Sequence, residues 1–580
     1  MMKATKAAVA PWGGQFKPSK TFFQVKKMSD HVLTIVKEMS ELVGGRITLV
    51  CPEKMPQSIC NVDDGLVCLG GPSGTDEFKE RYWEEQIEKK KVNVYALAKM
   101  DAHDIMLIIR FCVNQRFSYM CKVDMDPRVT ANLRDQIDED MFGFGGQGEL
   151  PTGLFWRVLM AMGADEIPQQ LQQRLLRRVQ MREEDGGLGL QSARTLGMYA
   201  SLSAIATVMS TKAAVVRGMP CIDKLRANIL TENGGGSKLA ALTRLRLNEF
   251  AESHATELDQ LPNIRDGLAE VGRAPQTPDQ LVAANNNVTQ AAMYAVTSKR
   301  DRNRWSMQAN QNELFLDKEL GDWRVPLMGT PTHKRLKLTN QAVRGHLRWC
   351  LMMPEPDGVP TCDCLKQPAT RVHILACSKN NISQQTETHN LVRDVMNDFC
   401  RASGVHPGKT EPRAVSGSSA GFKGGADGKT TGVSKAKAGD STTLLWDVTF
   451  PSSCAPSRRT RLGDNKRRGA AAAQEEFRKR KDNEYAAIAE RNNWDFYPAC
   501  ILKDTCFLGQ GTKDLINRIA GHRHGDTFAS EGYNDEMFKA GVFSAPRAKA
   551  YWKRALLVTM INAREKAIAE GKARALAGTN

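Results

Sequence analysis

Thr442-Thr443-Leu444-Leu445-Trp446-Asp447-Val448-Thr449-Phe450, closed by Pro451, is the stretch that decides the fold of this chain. β-branched, aromatic and leucine side chains fill it, and the proline at its end cannot donate to a sheet ladder, so it reads as a strand. Downstream lie a basic helical segment from Arg467 to Arg491, a second strand from Phe496 to Leu502, and a helix from Lys513 to Ala520. Strand, helix, strand, helix is the order of an α/β core. Upstream, residues 404–443 shift to Gly, Ser, Lys and Ala, as in Ser416-Gly417-Ser418-Ser419-Ala420-Gly421 and Gly424-Gly425-Ala426-Asp427-Gly428. That composition has little apolar surface to bury and predicts a mobile loop or a linker.

Further towards the N-terminus the pattern changes twice. Phe16 to Glu77 holds short apolar runs bounded by Gly and Pro, namely Phe16 to Thr21, Arg46 to Val50 and Gly65 to Gly71, which read as strands around a helix at Asp30 to Leu42. Then apolar residues recur at helical spacing over Glu77–Lys99, Ala102–Gln115, Leu154–Met162, Gln169–Met181 and Ala193–Val215. Residues 230–345 continue as polar, Asn- and Gln-rich helical material, and no internal repeat is evident.

The 580 residues carry 81 Lys+Arg against 65 Asp+Glu, a formal charge of +16. An excess of one sign on this scale draws a protein to polyanions, because each neutralised phosphate releases counterions. Nucleic acid is therefore the expected partner. No run is long and apolar enough for a membrane span, and mean hydropathy is −0.42. The first residues lack a secretory apolar core, and the 14 cysteines are irregularly spaced, so a cytoplasmic or nuclear location is expected.

Cys362-x-Cys364-x8-His373-x3-Cys377 places four soft donors within sixteen positions, the set that tetrahedral Zn2+ accepts. Two buried thiols beside a hydrogen-bonded histidine would give the same spacing. Asp447 on its strand, with Lys481 and Tyr485 on the next helix, has the chemistry for phosphodiester hydrolysis: a carboxylate to hold Mg2+ and a lysine to steer water or steady charge. An ordinary strand end beside a charged helix would look alike. Arg458, Arg459, Arg461, Lys466, Arg467 and Arg468, then Arg478, Lys479 and Arg480, are dense enough to track a phosphate backbone of DNA or RNA, although Glu475 and Glu476 offset part of the charge. His522 and His524 have no obvious companions and read as a polar loop, and Gly186-Gly187-Leu188-Gly189-Leu190 lacks the lysine of a phosphate loop.

Taken in order, these pieces resemble the C-terminal part of non-LTR (LINE-like) retrotransposon polyproteins of the branch with a restriction-endonuclease-like domain. Phe16-Lys17-Pro18-Ser19-Lys20-Thr21 is similar to the lysine segment after the polymerase aspartates, and Val67 to Gly74 to the turn near the primer grip. Residues 77–215 resemble the thumb, and Cys362, Cys364, His373 and Cys377 fall where that family has its CCHC knuckle. Asp427, Asp447-Val448-Thr449, Lys481 to Tyr485 and Phe496-Tyr497-Pro498 follow the order of its nuclease motifs.

The resemblance implies an α+β multidomain chain: a partial reverse transcriptase palm (1–76), a helical thumb (77–230), a helical linker (231–345), a zinc knuckle region (346–403), an α/β PD-(D/E)xK-like nuclease (404–545) and a C-terminal basic helix (546–580). It implies structural Zn2+ and catalytic Mg2+, with Asp427 joining Asp447 as ligands, Lys481 at the attacking water and Tyr485 behind it. Target DNA and element RNA are the implied partners, with a nick that primes reverse transcription. Ala426-Asp427 stands where the family has Pro-Asp, leaving Asp440 and Asp504 as substitutes. Asp63-Asp64 follows the lysine segment and does not match the polymerase aspartate pair, so DNA synthesis by this chain alone is not expected. A truncated or domesticated copy that binds nucleic acid without cutting it is the alternative.

Overall fold

The computed structural model describes residues 22–24, 34, 38, 48–50, 61–63, 65–68, 71–89, 91–92, 94–123, 129–145, 151–162, 167–209, 224–225, 227–229, 231, 238–271, 288–309, 325–329, 334–355, 358–364, 367–407, 426–433, 435, 439–451, 469–503, 505–521 and 545–577. They form a mixed α/β protein, mostly helical. At the N-terminal end β1 (Phe22–Gln24), β2 (Thr48–Val50) and β3 (Asn61–Asp63) pair in parallel. The run expected as one strand from Gly65 is instead a hairpin of β4 (Gly65–Cys68) and β5 (Gly71–Gly74). Phe16 to Thr21 lies outside the described residues, as does the expected helix at 30–42 apart from Thr34 and Glu38, both helical.

Helices α1 (Asp76–Lys89), α2 (Ala102–Ile108), α3 (Ala131–Phe142), α4 (Gln169–Gln180), α5 (Ala193–Met209), α6 (Lys238–Ser253) and α7 (Gln290–Gln308) follow. The expected helix at 102–115 changes to π geometry over Ile109–Val113. One apolar core gathers Trp83, Ile137, Tyr199, Phe250 and Met293 from α1, α3, α5, α6 and α7. Asp138 of α3 ties α5 into it by accepting from Ser192 Oγ and the Ala193 and Arg194 N–H groups, so an orphan helix terminus is satisfied from a neighbouring helix. The glycines of 186–189 also have a structural reason. Gly186 and Gly189 have φ of 96° and 71°, and the resulting turn sends Leu188 and Leu190 away from this core into a second one.

The second core is larger. It joins Leu97, Phe155 and Leu188 to α8 (Asn340–Cys350), to α10 (Ser378–Ala402), which follows the short α9 (Arg371–Ala376), and to a four-stranded sheet. The sheet order is β6 (His406–Pro407), β7 (Gly428–Thr431), β8 (Thr443–Thr449), β9 (Asp495–Cys500), with β8 and β9 parallel and the other pairs antiparallel. α11 (Gly469–Arg491) is the crossover that the parallel pair needs, and α12 (Gln510–Gly521) returns along β9. Five consecutive residues of β8 are buried, as expected of a strand covered on both faces. Leu444, Trp446 and Val448 enter the large core, while Leu445 faces Tyr485 of α11.

One expectation is corrected here and another is extended. The glycine-rich stretch is not all loop, since β7 lies inside it with Thr430 fully buried. Gly428 reads as a breaker in sequence, yet a Cβ there would sit 2.1 Å from the Trp446 ring, so only glycine admits that close pairing. The C-terminal basic helix, α13 (Ala545–Ala577), is an interior element: Trp552, Leu556, Leu557 and Ile561 are buried, and buried Arg564 pairs with Glu565 and lies 2.8 Å from His346 Nδ1.

Two buried histidines set an acid limit. Burial, reinforced by Arg554 for His103 and by Arg300 for His254, holds each at about 4 against an ordinary 6.5. The unfolded chain takes up these protons below pH 6.5 and the folded chain does not until about 4, so stability is complete above the window and falls with pH inside it. Each residue is expected to cost about 3 kcal/mol across that window. Urea midpoints followed from pH 7 to 4.5 should decline, and His103→Asn, which keeps an acceptor for the Leu338 N–H, should flatten its share. An unchanged slope would count against this role for His103.

Candidate functional site

Asp447 is the fourth of six residues of β8 paired with β9, opposite Pro498, and its side chain takes the α11 face that Leu445 also takes. Across the antiparallel partner, Gly428 pairs with Trp446, so one further step in register sets Asp427 opposite Asp447. Both carboxylates are 5% exposed. From α11, Lys481 Nζ lies 2.9 Å from Asp447 Oδ2 and 3.0 Å from Glu484 Oε2, and 5.5 Å from the centroid of the Tyr485 ring. Tyr485 is buried against Phe496 of β9, ring centroids 5.0 Å apart. Thus Asp427, Asp447, Lys481 and Tyr485, four residues from three elements, meet at one place.

The electrostatics follow from that crowding. Burial first, then the neighbouring Asp427 carboxylate, push Asp447 up to about 6, against the pull of Lys481. Lys481 is itself raised: burial works the other way, but its bonds to Asp447 and Glu484 outweigh it. Tyr485 is held well above its ordinary value by burial and by Asp447, so it stays a neutral phenol. Asp427 accepts from the Val448 N–H and faces His389 Nε2 of α10 at 2.9 Å.

Sequence reasoning missed Glu484 and His389. Glu484 had a usable signal, three residues from Lys481 on one helix face. His389, 38 residues before Asp427, had none. The two substitutes for Asp427 fare differently. Asp440 sits before the opposite end of β8, where Arg518 approaches it at 3.6 Å, and Asp504 lies outside the described residues.

Of the expected basic stripe, Arg458, Arg459, Arg461, Lys466, Arg467 and Arg468 lie outside the described residues, as do His522 and His524. Arg478, Lys479 and Arg480 are exposed on α11, where Arg478 pairs with Glu475 and Asp482 and Arg480 with Glu484. Exposed pairs of this kind are weak enough to give way to a phosphate. Among the described residues no helix is long and apolar enough to cross a membrane.

Cys362, Cys364, His373 and Cys377 bring one donor atom each to within 4.8 Å of the others, an arrangement that can hold a zinc ion. A short bridge between Thr361 and Pro368 turns the first two cysteines back on α9, whose start is capped by Thr370 Oγ1 accepting from the His373 N–H at 3.2 Å. Cys362 Sγ and Cys377 Sγ are 3.8 Å apart. Two thiolates at ordinary Zn–S lengths around a tetrahedral ion are separated by about 3.8 Å. Burial lowers His373, which keeps the imidazole in the neutral form that binds metal. No protein-family model matches the chain, and a search of curated proteins finds no match either.

Proposed function

We propose that the unit built on β7, β8, α11 and β9 is a Mg2+-dependent DNA endonuclease of the PD-(D/E)xK type, derived from a retroelement. The observation that supports it is the meeting of Asp427, Asp447 and Lys481 at adjacent strands and the following helix, with Lys481 Nζ 2.9 Å from Asp447. Two carboxylates offer the oxygen donors that Mg2+ takes, and a divalent ion there would relieve the repulsion that raises Asp447. Such an ion, when bound, polarises a phosphate oxygen and makes a water molecule nucleophilic near neutral pH. Asp427 and Asp447 hold it, Lys481 orients the water or steadies charge on the phosphate, and Tyr485 supports the lysine from beneath. The basic residues of α11 and of 458–468 carry the DNA or the element RNA, nicked target DNA primes reverse transcription, and the nucleus is the place of action.

A second reading, an inert nucleic-acid-binding scaffold, draws on one feature: Lys481 and His389 already balance the two carboxylates. Nicking of supercoiled plasmid by the full chain in Mg2+ or Mn2+ separates the two. Lys481→Ala is expected to slow nicking by about 10²-fold or more while leaving most DNA affinity, since one lysine is a small part of the phosphate contacts. Binding without cleavage by the parent chain in either metal would favour the scaffold.

A further inference from the structure

Asp427 is a carboxylate between Ala426 and Gly428, two residues with almost no side chain to fix its rotamer. It is nonetheless buried, and two groups of other elements hold it: the Val448 N–H from β8 and the His389 imidazole from α10. His389 is fixed in turn. Its ring meets Phe450 edge-on, centroids 6.1 Å apart at 87°, and α10 packs on β6, β7 and β8. That helix starts directly after Cys377, so the thiol cluster anchors its first turn.

We infer that His389 is a positioning residue, which turns the Asp427 carboxylate towards Asp447 so that both can share one divalent ion. The inference rests on the metal-dependent nuclease reading and adds an outer support to its ligand pair. Without the imidazole, Asp427 keeps the Val448 N–H alone and must order itself when the ion arrives. Hydrogen-bonded supports of this kind carry about 10- to 100-fold of metal affinity.

The test is Mn2+ binding to the zinc-loaded full chain, followed by electron paramagnetic resonance of the free ion. His389→Phe keeps a ring against Phe450 but removes the Nε2 donor, and is expected to weaken Mn2+ by about 10- to 100-fold. His389→Gln, whose amide returns a donor near the Nε2 position, should recover most of the loss, which a purely structural role would not produce. If His389→Phe does not fold, His389→Ala takes its place beside the Gln variant. Affinity equal to or tighter than the parent's in the donor-less variant overturns the assignment, the tighter case meaning that the histidine competes with the ion. Asp447→Asn separates the two levels. Should it remove the Mn2+ while His389→Phe leaves affinity intact, only the role of His389 falls; should the parent show no Mn2+ that Asp447→Asn removes, the nuclease reading falls and takes this role with it.

Discussion

Asp447→Asn is expected to lower single-turnover nicking by about 10³-fold or more, the equivalent of roughly 4 kcal/mol of transition-state stabilisation, without lowering the melting temperature. The first half follows from position: Asp447 is the carboxylate that touches Lys481 and faces Asp427, so an amide there leaves the ion a single anionic ligand and the lysine only Glu484. The second half follows from the sign of the shift. A buried carboxyl raised to about 6 binds its proton more tightly in the folded chain than in the unfolded one. Its contribution to stability is therefore present at low pH and lost as pH rises through about 6. At pH 7.5 the charged form is a liability to the fold, and asparagine removes it. A variant that neither nicks nor folds would make Asp447 structural; one that nicks at the parental rate would exclude it from the chemistry.

This opposition explains which parts of the chain were legible. β8 could be read because a strand buried on both faces must be apolar along its length, and Asp447 stood out as the one charge in that run. α11 followed from spacing, and the Cys362–Cys377 donors from chemistry that few other arrangements demand. β7 was hidden because its decisive residue is Gly428, and glycine reports a turn in sequence whether the cause is φ or, as here, the Trp446 ring. α13 was read only as basic, since a helix apolar around most of its girth has no amphipathic stripe to show which side is inside. His389 was unreadable for a deeper reason: its partner is fixed by how α10 crosses the sheet, which no local pattern encodes.

Loss of the thiol cluster is expected to have the largest effect on the fold, and its reach can be traced through contacts. Cys362 and Cys377 share a buried group with Trp349 of α8, Ile374 of α9, and Ile568 and Ala575 of α13. Gly571 of α13 comes so near that a Cβ would lie 2.7 Å from Ile374. Around this contact Glu355 accepts from Arg371 and from Lys572, at 2.9 Å and 2.8 Å, tying the knuckle to the last turns of α13. Ordering so short a segment against so long a helix needs more than its few apolar side chains, and an ion held by the four donors would supply it. Zinc-finger peptides gain about 10–16 kcal/mol on binding zinc; that is an upper bound here, where surrounding packing already orders part of the site. Cys362→Ser, or chelation of the parent chain, should lower the melting temperature and speed amide exchange over the last turns of α13 and along the first half of α10. The parent should carry one zinc per chain by mass spectrometry and the variant much less. A parent chain free of zinc, with melting and exchange identical to Cys362→Ser, would leave the four residues as buried thiols beside a histidine. Because α10 also carries His389 to Asp427, zinc removal should weaken Mn2+ binding as well. The knuckle at the start of α10 and the carboxylate pair beside its middle are then joined by one helix, and damage at the first is expected to be felt at the second.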